Sequence, residues 1–421
     1  MVNSDGEGSL VDQVQKLLAG DADALVDPYP VWNRLRDEAP VVRLGDAVLL
    51  SRHRDVKQLL GDNHHFYSRA RTKTSARYEN ARQTFSPHGR AAFDTVLDHE
   101  FTQLVRLDPP DHPRVRRVVT PPFSAKALRT EMQARVDGRV REALDEVRAG
   151  GGVVDFKQVA YTLPLKVLGD LLGIPLSDLD DIHSWAFRIA ENKLNADSEQ
   201  KSIEAAGAYE SLMAYIDRLV ERHRASGQPT GLVSALLESE ADGVVNGTEV
   251  RAMLALMIFA GHETTSNLLA IGMMALLEHP EQWKVLVADR AKAPAVVEEL
   301  LRYVTPAHFL QYVAAQRREL DGVLIEEGDT VIGVLASANR DPDVFLDPER
   351  LDVLRPDAKL HVSLGLGPHF CLGAGLARME AASLFSAMAE QFPGARLTDD
   401  PVVWGGRSLR TPIALPIAVG T

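Results

Sequence analysis

One cysteine, Cys371, stands in a chain of 421 residues. A single cysteine excludes an internal disulfide and suits a reducing cytoplasm. Long apolar runs are missing too. The longest, Met253 to Ala260, stops far short of the roughly 20 residues that span a bilayer. The N-terminus, Met1-Val-Asn-Ser-Asp-Gly-Glu-Gly8, has neither the basic start nor the apolar centre of a secretory signal. A soluble protein is therefore expected. Positive charge is scarce: 46 basic residues against 59 acidic ones leave a net charge of −13, which argues against nucleic acid as a partner. No Pro/Ser/Gly-rich linker and no internal repeat divides the sequence. One domain over 1–421 is expected, with 1–26 as a flexible N-terminus.

What is present converges on the stretch from His361 to Glu380. Gly365, Gly367, Gly373 and Gly375 surround Cys371, so the backbone can approach something flat and apolar without a Cβ in the way. A helical pattern begins at about Leu372 and runs to Phe392. Cys371 then sits at a helix N-terminus, where the dipole and free N–H groups favour a thiolate. A thiolate is a ligand for iron.

The rest reads as mainly α with a small β region. Apolar periodicity predicts helices over Val31–Glu38, Arg52–Leu60, Ala127–Arg148, Leu163–Leu172, Ala205–Ala225, Leu232–Ser239 and Pro294–Tyr303. Short strands are predicted at 41–44, 47–50, 312–315, 324–326 and 330–335, and a hairpin over Val402–Val419. The longest helix is predicted from Thr248 to His279. Its flanks are apolar all round, as in a buried helix, yet Gly261, Glu263, Thr264 and Thr265 fall in its middle. Gly261 costs about 1 kcal/mol against Ala there. A local opening of the helix, with a hydroxyl facing a pocket, explains both features. His112 and Arg116 are four apart and share a helix face, and Glu299 and Arg302 can pair at i,i+3. From Asp62 to Arg90 there is no Leu, Ile, Val or Met, and six cations (Arg69, Arg71, Lys73, Arg77, Arg82, Arg90) face two anions. Such a segment is expected to be a long mobile loop without a core, and 62–100 a substrate-access or binding loop. Its cations suggest an anionic or carrier-protein-bound substrate.

Four motifs stand in order: Ala260-Gly-His-Glu-Thr-Thr265, Glu299-Leu-Leu-Arg302, Asn339-Arg-Asp-Pro342 and Gly365-Leu-Gly-Pro-His-Phe-Cys-Leu-Gly373. Together they resemble the soluble bacterial cytochrome P450 family of haem-thiolate monooxygenases, over the chain from Asp27 to near its end. The resemblance implies the P450 fold, with haem b between the long helix and the Cys371 loop. It implies Cys371 as axial ligand and metal site, Gly365 and Gly373 as cofactor-binding glycines, and Glu263 and Thr264 as the acid–alcohol pair beside the oxygen site. Glu299, Arg302 and Arg355 match the ion-pair network behind the haem. His112, Arg116 and His369 match positions that hold the haem propionates. In two places the chain departs from the family. Leu364 stands where an aromatic is usual, and Tyr312 aligns where an arginine for a propionate is usual; Tyr312 is expected to take over that contact.

The implied reaction inserts one oxygen atom from O₂ into an organic small molecule, by hydroxylation or epoxidation, in specialised metabolism. Electrons are expected from ferredoxin and ferredoxin reductase, docking on a basic face with Arg114, Arg117 and Arg378. Pocket positions by resemblance are the 66–100 loop, Met257, Ala260, Gly261, Ala307–Leu310 and Ser408–Leu409. Oxidative coupling or rearrangement, peroxide-driven oxidation, and a non-catalytic haem sensor remain open alternatives. The intact Glu263-Thr264 pair counts against the last two.

Overall fold

An apolar helix of 32 residues, Gly247–Glu278, sets the architecture. Asn246 starts it with a capping box: its Oδ1 accepts from Glu249 N–H at 3.0 Å, and Glu249 accepts from Asn246 N–H at 2.9 Å. Pro280 follows its end. The computed structural model describes residues 9–62, 65–194, 198–226, 231–406 and 409–420. Among them no helix is long and apolar enough to cross a membrane. The long helix is buried nearly throughout. Helices Phe156–Leu172, Glu199–Ser226, Ala293–Val304 and Ala374–Gln391 pack around it. Gly272 marks the tightest crossing, where a Cβ would meet Phe385 at 3.0 Å and Leu300 at 3.2 Å.

Beside this helical mass lies a five-stranded sheet, in the order 41–44, 47–50, 330–334, 309–314 and 67–68. The 47–50 and 330–334 strands run parallel; the other neighbours are antiparallel, with Tyr312 opposite Val331. The predicted C-terminal hairpin is present only as Trp404–Gly406 against Arg410–Pro412. The last strand, Pro416–Ala418, instead joins Val153–Asp155 and Arg396–Leu397.

Three expectations are overturned. Of the N-terminus expected to be flexible, Leu10–Ala19 is a helix with its own Ser9–Asp12 capping box, and Val14 and Leu17 are buried in the main core. The described residues of 62–90 do not form a coreless mobile loop. They carry a short strand, a 3₁₀ turn and helices Ala76–Thr84 and Pro87–Phe101. Ala81, Phe85, Phe93 and Leu97 make a small core there. Phe85 and Tyr78 meet Phe93 edge-to-face at 5.6 and 5.7 Å, the geometry that aromatic quadrupoles favour. Nor does the long helix open at Gly261: it is α-helical without a break. Thr264 and Thr265 return their hydroxyls to the carbonyls of Ala260 and Gly261.

Behind the Cys371 loop lies a dry ion-pair network. Glu299 and Arg302 side chains have no solvent exposure. They form a two-pronged pair, Nε–Oε2 2.7 Å and Nη2–Oε1 2.8 Å. Arg302 Nη1 also donates to the carbonyls of Asn339 (3.0 Å) and Pro348 (2.8 Å). Arg355 Nε and Asp352 N–H donate to Glu299 Oε1 at 3.2 and 3.0 Å. Asn339 Nδ2 reaches Thr305 and Ser363 hydroxyls, and its Oδ1 accepts from Val362 N–H at 2.8 Å. Ser363 hydroxyl in turn donates to Leu301 O at 2.6 Å. The network thereby ties helix Ala293–Val304 to the residues that enter the Cys371 loop.

Removing one partner of such a pair strands a buried charge, which costs about 3–5 kcal/mol. Arg302→Ala should therefore lose at least that much in urea unfolding. Arg302→Lys, which cannot reproduce the fork, should rescue only part of it. A variant Arg302→Ala as stable as wild type would show that the pair is solvated.

Candidate active site

A cavity of about 320 Å³ lies between the long helix and the Cys371 loop. The loop is shaped by glycines in the left-handed region. Gly365 has φ +69°, and a Cβ on Gly367 (φ +61°) would stand 2.9 Å from Leu60 O; no L side chain fits either place without strain. Cys371 N–H donates to Leu364 O at 2.8 Å, closing the loop. Gly373 lines the cavity, and a Cβ there would meet no protein atom within 4 Å.

Cys371 lies deep in the chain with its surface open to the cavity. Burial pushes its thiol up. The Gly373 and Ala374 N–H groups, Arg116 and Arg378 pull the other way without winning. Desolvation thus opposes the thiolate that the helix N-terminus favours. A bound cation would supply the missing stabilisation of the charged form.

Opposite the loop, Thr264 and Gly261 face the cavity, with Met257, Ala260, Ala307 and Leu310. Leu168 packs at 3.3 Å from where a Gly261 Cβ would be. His308, Phe309 and Leu409 are not in the lining, Ser408 lies outside the described residues, and among the described side chains of the 66–100 stretch only Arg69 reaches the cavity. The lining is mostly apolar, with Leu104, Val105, Leu171 and Leu256; Arg116, Ser363, His369 and Glu380 are among its polar members.

Glu263 is turned to the other side of the long helix, into a polar cluster that sequence reasoning missed. Lys157 Nζ donates to Thr411 Oγ1 (2.8 Å) and Ser266 Oγ (3.3 Å), one helical turn from Glu263. Burial lowers Lys157 to about 8, with the Glu263 carboxylate opposing. Tyr161 hydroxyl bridges His183 Nδ1 and His262 Nε2, the latter at 3.0 Å. His262 Nδ1 lies 3.0 Å from Ile258 O. Donation to that carbonyl makes Nε2 the acceptor of the Tyr161 proton. Burial lowers His262 to about 4, so it is neutral at pH 7.

Three side chains expected near the propionates come together. His112 and His369 rings lie 4.3 Å apart. Arg116, one turn beyond His112 on helix Asp111–Val119, lines the cavity with His369. Its Nη2 donates to Phe370 O at 2.7 Å. Tyr312 is a different matter. It is buried in the core of the sheet and absent from the cavity lining. The lining holds instead Arg69, whose guanidinium sits 4.5 Å from the centre of the Tyr312 ring.

Sequence reasoning also missed Glu380. Its carboxyl is 1% exposed and borders the cavity, and Oε2 has no hydrogen-bond partner among the described residues. The available signal was an acid on the apolar i, i+3, i+4 stripe of Ala377, Ala381 and Leu384.

The donor set fits haem. A single thiol opens onto an apolar slot, a side-chain-free edge at Gly373 leaves room for a flat ring, and cations and donors stand where carboxylates would go.

Comparison with known proteins agrees. The Cytochrome P450 family profile matches residues 196–395. The cytochrome P450 monooxygenase PikC of Streptomyces venezuelae is 35% identical over 398 residues, 91% of this chain and 88% of that protein. Among solved structures, ligand-free CYP164A2 of Mycobacterium smegmatis is 30% identical. It superposes with a TM-score of 0.84, over 97% of this chain and 100% of that one. P450BioI, solved in complex with an acyl carrier protein ligated to hexadec-9Z-enoic acid, is 25% identical. Its TM-score is 0.82, over 94% of this chain and 100% of that one.

Burial pushes Glu380 from its ordinary 4.5 up to about 8. The folded chain therefore holds a proton that the unfolded chain releases between those values. Stability from this group falls as pH rises through that window. Glu380→Gln, never charged, should match wild type near pH 5 and exceed it at pH 8 by about 1–3 kcal/mol in urea unfolding. Parallel pH profiles for the two proteins would mean that the carboxyl is ionised in the fold.

Proposed function

The chain belongs to the cytochrome P450 family, and on that premise we propose that it hydroxylates or epoxidises a largely apolar small molecule in specialised metabolism, with electrons from ferredoxin and its reductase. It is a haem-dependent monooxygenase. The observation that carries the finer reading is that Cys371 and Thr264 face one apolar cavity from opposite walls. When bound, haem supplies iron that activates O₂, with a thiolate ligand assisting O–O cleavage.

The chain's own groups divide the remaining work. Cys371 Sγ would hold the iron. Arg116, His112 and His369 would hold the propionate carboxylates, as charge-assisted donors do. Apolar residues such as Leu104, Leu256, Met257 and Leu310 exclude water and grip the substrate. Thr264 hydroxyl, which donates to Ala260 O at 3.2 Å, keeps its lone pairs for a proton or water in the cavity. Glu263 lies behind it beside Lys157, whose value of about 8 lets it exchange protons near neutral pH. Protons then pass from the far side of the long helix to the hydroxyl side.

The docking face for ferredoxin is narrower than the sequence suggested. Arg114 is held by Glu249 and Asp111, and Arg378 by Glu298. Arg117 is exposed, without a carboxylate partner among the described residues, and borders a groove with Arg116, Thr120 and Pro368. This groove is the site we assign to an acidic partner.

The basic 69–90 segment gives little support to an anionic substrate. Arg71 pairs with Glu327, Lys73 with Asp98, and Arg82 with Glu79 and Asp94; the side chain of Arg77 is not among those described. Acids of the fold thus meet Arg71, Lys73 and Arg82, whereas the guanidiniums of Arg69 and Arg90 bond the carbonyls of Gln311 and Phe85. A carrier-delivered substrate stays as the second reading, because a relative, P450BioI, is solved with an acyl carrier protein.

Two measurements test the main reading. Reduced protein with CO should show the strongly red-shifted Soret band of thiolate ligation, and Cys371→His should lose it. Thr264→Ala should consume NAD(P)H yet lose about ten-fold or more in product per NAD(P)H, with peroxide rising. An unchanged yield would remove Thr264 from the proton path.

A further inference from the structure

Arg69 is a buried cation in the cavity wall. It is 6% exposed. Its Nη1 donates to Gln311 O at 2.7 Å, its face rests on Tyr312, and Nε has no partner among the described residues. A carbonyl and a ring do not neutralise a guanidinium. Asp108 attracts it through space, but the Asp108 oxygens bond the N–H groups of Arg69 (3.1 Å) and Ala70 (3.3 Å) and Ser68 hydroxyl. Arg106, anchored through Thr72 Oγ1 at 3.1 Å and 3.8 Å from the Glu100 carboxylate, repels the Arg69 guanidinium from nearby. A buried cation without a direct ion pair costs several kcal/mol. It is retained where an anion arrives to pair with it.

The same turn fixes where that anion lies. Asp108 O accepts from His112 N–H at 3.0 Å, so one residue pins both the backbone of Arg69 and the start of the helix that carries His112 and Arg116. Arg69, Arg116 and His369 then border one cavity. Strand Phe309–Ala314 brings only a neutral phenol, Tyr312, to this region.

We infer that Arg69 binds a haem propionate, supplying from the 67–74 segment the charged fork that the strand lacks at Tyr312. The inference rests on the haem reading above. Tyr312 is then a platform for the guanidinium and not a ligand. Cation–π contact orients the fork, and Gln311 O holds one arm so that the rest faces the cavity.

Haem release into excess myoglobin stripped of its own haem tests this without any turnover. Arg69→Gln should release haem about ten-fold faster than wild type or more, and Arg69→Lys should fall between. Tyr312→Phe, which keeps the ring, should behave as wild type. The two propionates can also be removed chemically. Wild type reconstituted with haem dimethyl ester should release it much faster than haem, and that difference should shrink in Arg69→Gln. Equal acceleration of both forms by Arg69→Gln would make Arg69 a purely structural residue and overturn the inference. Unchanged haem release, with loss of the spin-state shift on adding dodecanoate, would assign the guanidinium to a ligand carboxylate and overturn it too. Should Arg69→Gln fail to fold, Arg69→Lys with the ester comparison decides the same point. The CO spectrum of wild type reports the haem itself, so a failure at Arg69 leaves the cofactor reading intact.

Discussion

The two-pronged Glu299–Arg302 pair lies wholly out of water, and the geometry of the Cys371 loop hangs on it. In so dry a place neither charge survives without the other, so the pair exists in one arrangement or not at all. Arg302 spends its remaining donors on carbonyls at 339, 348 and 350. Two irregular stretches, at 339 and at 348–350, are thereby fixed to one helix. Asn339 continues the chain of bonds to Val362 and Ser363, two residues before the first left-handed glycine. Glycine loops are permissive by themselves. Here the permissiveness is used for shape, and the rigidity comes from the ion pair behind.

The long helix separates two environments by a single residue step. Thr264 looks into an apolar chamber, whereas Glu263 looks toward Lys157, Ser266 and the Tyr161 cluster. A helix advances 100° per residue, so adjacent positions suffice to face opposite sides of the wall. The continuous hydrogen bonding through Thr264 and Thr265 keeps that wall intact. Breaking it is not needed for the two sides to communicate, since the residues themselves are neighbours.

Much of this was legible in the sequence because its chemistry is contiguous. The Cys371 loop, the glutamate–threonine pair and the Glu299/Arg302 spacing each sit within one short stretch, and four such stretches in order define a family. The misreadings share a cause. Residues 62–100 were judged by their want of Leu, Ile, Val and Met over the first part, but Ala81, Phe85 and Phe93 build a core from small residues and rings. The opening at Gly261 was inferred from two local oddities, which Leu168 and back-bonded threonines resolve without a break. Arg69 and its Gln311 carbonyl are 242 residues apart, and no local pattern announces such a meeting. Glu380 left a trace in its helical stripe, but only the fold shows that its Oε2 has no partner among the described residues.

The stack of Arg69 on Tyr312 has a meaning for exchange of parts between relatives. The segment and the strand are not independent cassettes. Grafting in a strand with arginine at 312 while keeping Arg69 would set two guanidiniums against each other in a dry wall. Grafting in a segment without Arg69 while keeping Tyr312 would leave neither. The two positions therefore form one heritable unit split across the chain, and recombination between them is penalised even where each half folds well in its own parent.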